Sequence, residues 1–295
     1  MRLFLSTLAV WFFGIVSGFA AAEGHDHLPP SAETVFEFGP FIVTNSMIMV
    51  WIVAIFLIVV AQLATRNLQL IPNGLQNFTE WLTESLYNFL ESILGPHLVK
   101  RTFWFFGSLF VFILFTNWFG LIPGVGTLGW KLTGSGVDPH DTFQPFLRGG
   151  NADLNMTAAM AFLFALLWFY WAISENGIKG FLAHIFAPKG KFGGVMYVFM
   201  ILVFLFVGIL EIVSILFRPV ALSFRLYGNI FAGENILENM TILGGKWFGW
   251  LPPLPFYFLE LLVGLIQATV FIMLTSVFLK LICDHDDHHE EEHKH

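Results

Sequence analysis

The sequence predicts an all-α membrane protein with several spanning helices. Of its 295 residues, 56% are hydrophobic and only 12% are charged, against about 25% charged in a typical soluble domain. A helix of ~20 uncharged, mostly apolar residues crosses about 30 Å of hydrocarbon. Stretches of that kind are residues 3–22, 41–65, 102–130, 154–173, 192–210 and 261–279. A soluble globule is therefore excluded, and the net charge of -7 argues against a nucleic-acid partner.

The first stretch has the pattern of a secretory signal. Arg2 precedes an uncharged run that ends in three alanines just before Glu23, which is typical of a cleavage site. An uncleaved first span is the alternative, because the run exceeds the usual ~7 to 15 residues. We predict four parts: a signal peptide at 1–22, an outside segment at 23–40, a membrane domain at 41–283 and an acidic, histidine-rich cytoplasmic tail at 284–295.

Charge in the connecting segments predicts the orientation of the chain. Segment 23–40 is acidic and has no Lys or Arg, whereas segments 66–101 and 175–191 each carry three such residues. Cytoplasmic loops carry an excess of Lys and Arg. We therefore predict five retained spans, with the N-terminus outside and the C-terminus in the cytoplasm.

An amphipathic helix is predicted between the first two retained spans. Apolar residues recur at steps of three and four from Leu75 to Ile93, and the glutamates of this segment lie off that stripe. Gly95 and Pro96 end the pattern. The acidic face lacks the Lys and Arg that bind anionic lipid, which favours a place on the membrane surface or against partner helices over a cofactor site.

Neither the glycine-rich run nor the single cysteine of the sequence indicates a cofactor site. The glycines between residues 124 and 129 spell G-x-G-x-x-G, but they follow a membrane helix, with no strand before them and no helix after them. They are therefore predicted to be loop glycines rather than a dinucleotide fingerprint. Cys283 is the only cysteine, so no internal disulfide can form.

Charged residues interrupt the fourth retained span. Glu211, Arg218 and Arg225 are each seven residues apart, which places them in one slowly drifting helical stripe, and Asn229 joins that stripe. A charged side chain in hydrocarbon is costly, so such residues face a bundle interior or a water-filled path. For Arg218, the alternatives are a structural pair with Glu211 or a side chain that snorkels to an interface.

The same span is unusually long for a single membrane helix. A continuous helix over 192–232 extends about 60 Å at 1.5 Å per residue, roughly twice the hydrocarbon thickness. It must tilt, kink or break, and Pro219 is placed to kink it.

Further polar residues follow in this helix and in the last span. Glu234 lies nine residues after Arg225, on the opposite side of a continuous helix, so it would not neutralise Arg225 directly. Glu260 and Gln267 are seven residues apart on one face of the last span. An interhelical hydrogen bond is the structural alternative for Gln267.

The run at 218–234, RPVALSFRLYGNIFAGE, resembles the signature of subunit a of the F-type ATP synthase. In that family an arginine is followed by a hydrophobic pair, Gly-Asn, and then Ala-Gly-Glu or Ala-Gly-His. Residues 151–155, NADLN, and Asn117 ahead of Leu-Ile-Pro also look like the family, and the resemblance extends over 41–283. The chain departs from it at Glu260, where many bacterial relatives carry histidine.

The resemblance implies a non-catalytic stator subunit that translocates protons through two aqueous half-channels. Its partners would be the ring of rotor c subunits, the b subunits of the peripheral stalk, other ATP synthase subunits and membrane lipid, with no cofactor and no metal. Arg225 would meet the rotor carboxylate. The remaining proton-translocating residues would be Glu211, Asn229, Glu234, Glu260 and Gln267. Structural or accessory roles would fall to Arg218, Asp153 and Asn155.

Two other classes remain as alternatives. A secondary transporter of an anion or metal ion requires paired, similarly broken hydrophobic halves, and the sequence shows no such repeat. A metalloprotein is suggested by the histidines and aspartates after Cys283 and by His25 and His27, although tails of this composition are most often solvated.

Overall fold

The described residues form a bundle of five long helices. The computed structural model describes residues 32–38, 41–122, 125, 129–131, 143–186, 195–244 and 248–283. The predicted signal peptide at 1–22 and the tail at 284–295 lie outside the described residues. The helices are α1 (Asn45–Thr65), α2 (Leu75–Gly120), α3 (Leu154–Phe186), α4 (Val195–Leu243) and α5 (Pro253–Cys283). All five are long and apolar enough to cross a membrane, which confirms the all-α polytopic prediction.

The first spanning helix begins later than predicted. Residues 41–44 form a strand rather than the start of a helix: β1 (Thr34–Phe38) pairs antiparallel with β2 (Phe41–Thr44). These segments are rich in β-branched and aromatic residues, which fit a strand. The Thr44 hydroxyl then accepts a hydrogen bond from the Met47 backbone at 3.4 Å and caps α1.

A second small ladder lies in the connection between α2 and α3. Strand β3 (Gly129–Lys131) pairs antiparallel with β4 (Phe143–Pro145). The prediction of a plain loop was therefore wrong at Gly129, which begins a strand. The segment after β4 leads through a short 3-10 turn (Gly150–Ala152) into α3.

Helix α2 consists of two helical parts that meet at Gly95. The φ of 80° at Gly95 lies in the left-handed region, and Pro96 follows, so the predicted end of the amphipathic helix is confirmed. Of the predicted stripe, Leu75 and Phe78 are exposed, Leu86 is buried, and Phe89 and Ile93 are half-buried. The buried side is continued by Leu90 and Leu94, which lie next to the stripe.

Helix α4 is continuous over 49 residues and runs through Pro219 without a non-helical residue. At 1.5 Å per residue it extends about 73 Å. The break offered as one possibility by the sequence does not occur. One side of α4 packs on α3 and α5. We call the other side the outer face of α4. Its exposed apolar residues are Phe199, Phe206, Leu210, Val213, Phe217, Val220 and Phe224.

The core lies where α2, α3 and α5 meet. Its largest fully buried side chains include Phe106 and Ile113 of α2 and Phe271 and Leu279 of α5. Apolar burial between helices is worth little within lipid, so close packing and interhelical hydrogen bonds hold such bundles together. Trp168 of α3 supplies one of these bonds by donating to the Phe278 carbonyl of α5 at 3.1 Å.

Candidate functional site

Arg225 lies on the surface of α4, beside its outer face. Leu222, Leu226 and Ile230 are buried on the packed side of the helix, whereas Arg225 and its neighbour Phe224 are exposed. Arg225 makes no hydrogen bond or ion pair with the residues that the structure describes. The sequence predicts that such a charge faces either a bundle interior or a water-filled path. Arg225 does not face the interior of the described bundle.

Asn229 connects the Arg225 side of α4 to the buried side of α5. Its Nδ2 donates a hydrogen bond to Oε1 of Gln267 at 2.7 Å, and Gln267 is 4% exposed. The interhelical hydrogen bond expected for Gln267 is confirmed. The Nε2 of Gln267 makes no hydrogen bond to the part of the chain that the structure describes, so a buried donor remains next to Asn229.

Glu234 and Glu260 form the centre of a buried cluster between α4 and α5. Glu260 is 6% exposed, and its carboxylate packs directly against Gly233, where even a Cβ atom would overlap it. Glu234 is the next residue of α4. The two carboxylates are therefore neighbours, contributed by two helices that the sequence alone does not place together.

Arg148 completes this cluster from the segment before α3. Its side chain is 5% exposed, and its Nε lies 3.5 Å from Oε2 of Glu234. The prediction that Glu234 does not neutralise Arg225 is confirmed, because Glu234 points to Arg148 instead. Sequence reasoning had counted Arg148 only as a charge in an outside loop. The signal that could have identified Arg148 is its position three residues before the family-like run at 151–155.

A network of amides surrounds the cluster and fixes the helices around it. Nδ2 of Asn117 donates to the Gly264 carbonyl of α5 at 3.1 Å, and Nδ2 of Asn151 donates to Oδ1 of Asn117 at 2.6 Å. Trp118 donates through Nε1 to the Leu261 carbonyl at 3.1 Å. These bonds tie the end of α2 and the connection to α3 onto the first turns of α5.

Asp153 and Asn155 occupy structural positions at the start of α3. Oδ1 of Asp153 accepts a hydrogen bond from the Asn155 backbone at 2.9 Å, and Oδ2 accepts one from the Ser46 hydroxyl at 2.7 Å. Asp153 thereby caps α3 and joins it to α1. The Asn155 side chain is exposed.

Glu211 and Arg218 form a separate ion pair on α4. Nη2 of Arg218 lies 2.8 Å from Oε1 of Glu211, and the guanidinium carbon lies 4.6 Å from the ring centre of Phe278 on α5. The structural pair offered as an alternative for Arg218 is therefore observed. Neither residue reaches the cluster of Arg148, Glu234 and Glu260.

Comparison with known proteins places this geometry in a family. The family model for the ATP synthase A chain matches residues 47–280, which is most of the chain and includes Arg225 and both buried glutamates. The chain belongs to the ATP synthase A chain family. Curated relatives named ATP synthase subunit a support this assignment over nearly their whole length.

Three of these relatives illustrate the similarity. The protein of Gloeobacter violaceus is 30% identical over 272 residues, which cover 92% of this chain and 94% of the relative. That of Moorella thermoacetica is 31% identical over 83% of this chain and 93% of its own length. That of Syntrophobacter fumaroxidans is 29% identical, with 86% and 90% covered.

Membership in the ATP synthase A chain family makes this chain a non-catalytic, multi-pass subunit of the membrane sector of ATP synthase. Its partners are other subunits of that complex. Within the described residues, no three His, Cys, Asp or Glu side chains are grouped so that they could hold a metal ion. The histidines and aspartates after Cys283 lie outside that part of the chain.

Proposed function

We propose that this chain is the stator through which protons cross the membrane sector of an F-type ATP synthase. Arg225 would meet the carboxylate of each rotor c subunit, and the b subunits of the peripheral stalk would be further partners. We place the chain in a bacterial inner membrane with its N-terminus outside. The observation that carries the proposal is the exposed Arg225, which has no polar partner among the described residues, beside an apolar outer face that no other described helix covers.

The position of Arg225 supports a charged partner from another subunit. An arginine at the centre of a membrane helix costs about 2.5 to 3.5 kcal/mol on insertion scales. At ~4 Å and an effective dielectric of ~20, a carboxylate attracts the guanidinium by about 4 kcal/mol, which more than offsets that cost. The same attraction favours the ionised carboxylate, so a protonated rotor carboxylate that arrives at Arg225 releases its proton.

We assign two half-channels to the polar residues on either side of Arg225 along α4. Glu234 lies about 13 Å beyond Arg225 along the helix axis, and Glu211 lies about 21 Å before it. In the predicted orientation, Glu234, Glu260, Gln267 and Asn229 line the half-channel that opens outside. Glu211 then lies on the cytoplasmic side. Protons would enter on one side of Arg225 and leave on the other, and its positive charge would prevent direct passage.

A cross-linking experiment tests the ring contact. Cys283 is replaced by Ala, and a cysteine is introduced at Phe224 on the outer face of α4 or, as a control, at Phe162 of α3. The two side chains are 56% and 63% exposed, so their accessibility is matched. In the assembled complex, F224C carrying a photoactivatable maleimide should cross-link to a small hairpin subunit with a mid-helix carboxylate, and F162C should not. Failure of F224C to label that subunit would contradict the proposal.

A further inference from the structure

Arg148 is held rigidly against Glu234. The glycine that follows it packs so closely that a Cβ atom at Gly149 would lie 2.7 Å from Oε1 of Glu234. At Gly150, a Cβ atom would lie 2.7 Å from side-chain carbons of Thr116 and Val50. The backbone that carries Arg148 is therefore wedged between α1, α2 and α4, and Gly149 also gives a backbone hydrogen bond to the Glu234 carboxylate.

Glu260 differs from Glu234 in its partners. It is buried, and its Oε1 makes no hydrogen bond to the residues that the structure describes. The charged groups placed around it are Glu234 from α4 and, behind that residue, Arg148. The groups of α2 that contact α5 near Glu260 are neutral: Trp118 donates to the carbonyl of Leu261, the next residue, and Asn117 donates to that of Gly264, one turn further along. Tyr257 lies one turn before Glu260 on its own helix.

We infer, on the basis of the proposed function, that Arg148 holds Glu234 as a fixed anion and leaves Glu260 as the carboxylate that takes up and releases the proton. An arginine keeps its charge in proteins, so a buried arginine requires an anion beside it. Glu234 supplies that anion. Arg148 is thus a positioning residue, which sets the charge around Glu260 without carrying the proton itself.

This division of roles makes opposite predictions for the two partners. In the wild type, Arg148 and Glu234 largely cancel each other's field at Glu260. Arg148→Gln leaves two neighbouring carboxylates, Glu234 and Glu260, without a cation, so the pair retains a proton to higher pH. Glu234→Gln leaves a positive charge, which weakens proton binding. The double variant removes both charges and restores a neutral surrounding.

The measurement is proton flux as a function of pH through the assembled membrane sector in lipid vesicles, normalised to the amount of complex. The alkaline limb of the profile should move by about one to two pH units upward in R148Q and downward in E234Q, as expected for one uncompensated charge at ~6 to 10 Å. The double variant R148Q/E234Q should return to within about half a unit of the wild type.

Arg101→Gln is the matched control, because it breaks the exposed ion pair between Arg101 and Glu175, which is remote in sequence from the cluster. This variant should not move the pH profile of proton flux.

Shifts of R148Q and E234Q in the same direction would overturn the inference. An unmoved profile with less assembled complex would also overturn it, because Arg148 would then be structural only. If R148Q fails to assemble, E234Q alone still tests the downward shift. Normal ATP synthesis in R225A would instead contradict the proposed function.

Discussion

Replacement of Arg225 separates its role in proton coupling from any role in packing. Arg225 is exposed on α4 and makes no polar contact with the described residues of its own chain. Arg225→Ala therefore removes little packing within the described chain, and it also removes a charge that is costly in hydrocarbon. We expect the complex to assemble in near-normal amounts.

The expected loss of function is much larger. An attraction of about 4 kcal/mol between the guanidinium and a rotor carboxylate corresponds to roughly a thousandfold change in the balance between its ionised and protonated forms. Without it, a rotor carboxylate that reaches this position keeps its proton, and rotation no longer drives synthesis. Arg225→Lys should not restore normal activity, because a buried amine can lose its proton and lacks the fork geometry of arginine.

The assay is proton-driven ATP synthesis in membrane vesicles, normalised to assembled complex. Arg101→Ala serves as the control, because Arg101 is a half-exposed arginine that pairs with Glu175 and has no role in the proposed path. We expect R101A to assemble and each assembled complex to synthesise ATP. Wild-type synthesis in R225A, or full recovery in R225K, would refute the role assigned to Arg225.

Three further predictions concern the N-terminus and the buried cluster. N-terminal sequencing of the purified chain should begin near Glu23, and recovery of intact Met1 would refute cleavage of the signal peptide. Glu260→Gln should reduce proton flux at least tenfold, since the amide retains most hydrogen bonding but carries no proton; flux equal to wild type would remove Glu260 from the path. Gly233→Ala should slow ATP synthesis, because its Cβ atom overlaps the Glu260 carboxylate, whereas Gly228→Ala meets open space and should be nearly neutral.

The positions of the spanning helices could be predicted because long runs of apolar residues are sufficient to identify them. Long uncharged runs have no stable alternative to a helix in hydrocarbon. Local spacing also offered the Glu211 and Arg218 pair as one alternative, since residues seven apart lie on one side of a helix. The opposite placement of Glu234 and Arg225 followed from the same geometry. Each of these features depends on a single helix and on no packing partner.

Features that depend on two distant segments were not predictable in the same way. Arg148 and Glu234 are separated by 86 positions, and only the packing of the segment before α3 against α4 brings them together. The residues around Gly129 carry no strand signal of their own and pair with residues 143–145 across a long connection. The start of α1 shifted to Asn45 because residues 41–44 pair with β1, which competes with the helix.

The two sides of α4 explain how one helix can serve both the buried path and an external partner. Glu234 faces Arg148 inside the chain, while Arg225 faces outward. Asn229 lies between these two residues in the sequence. It is on the exposed side of α4, and its side chain donates a hydrogen bond to the buried Gln267 of α5. In the proposed function, this neutral amide pair would orient water or a passing proton without binding either as strongly as a fixed charge. Arg225 also has no anionic partner among the described residues, so placing its charge in lipid is unfavourable in the isolated chain. Binding of a partner carboxylate should therefore stabilise the folded subunit by mass action.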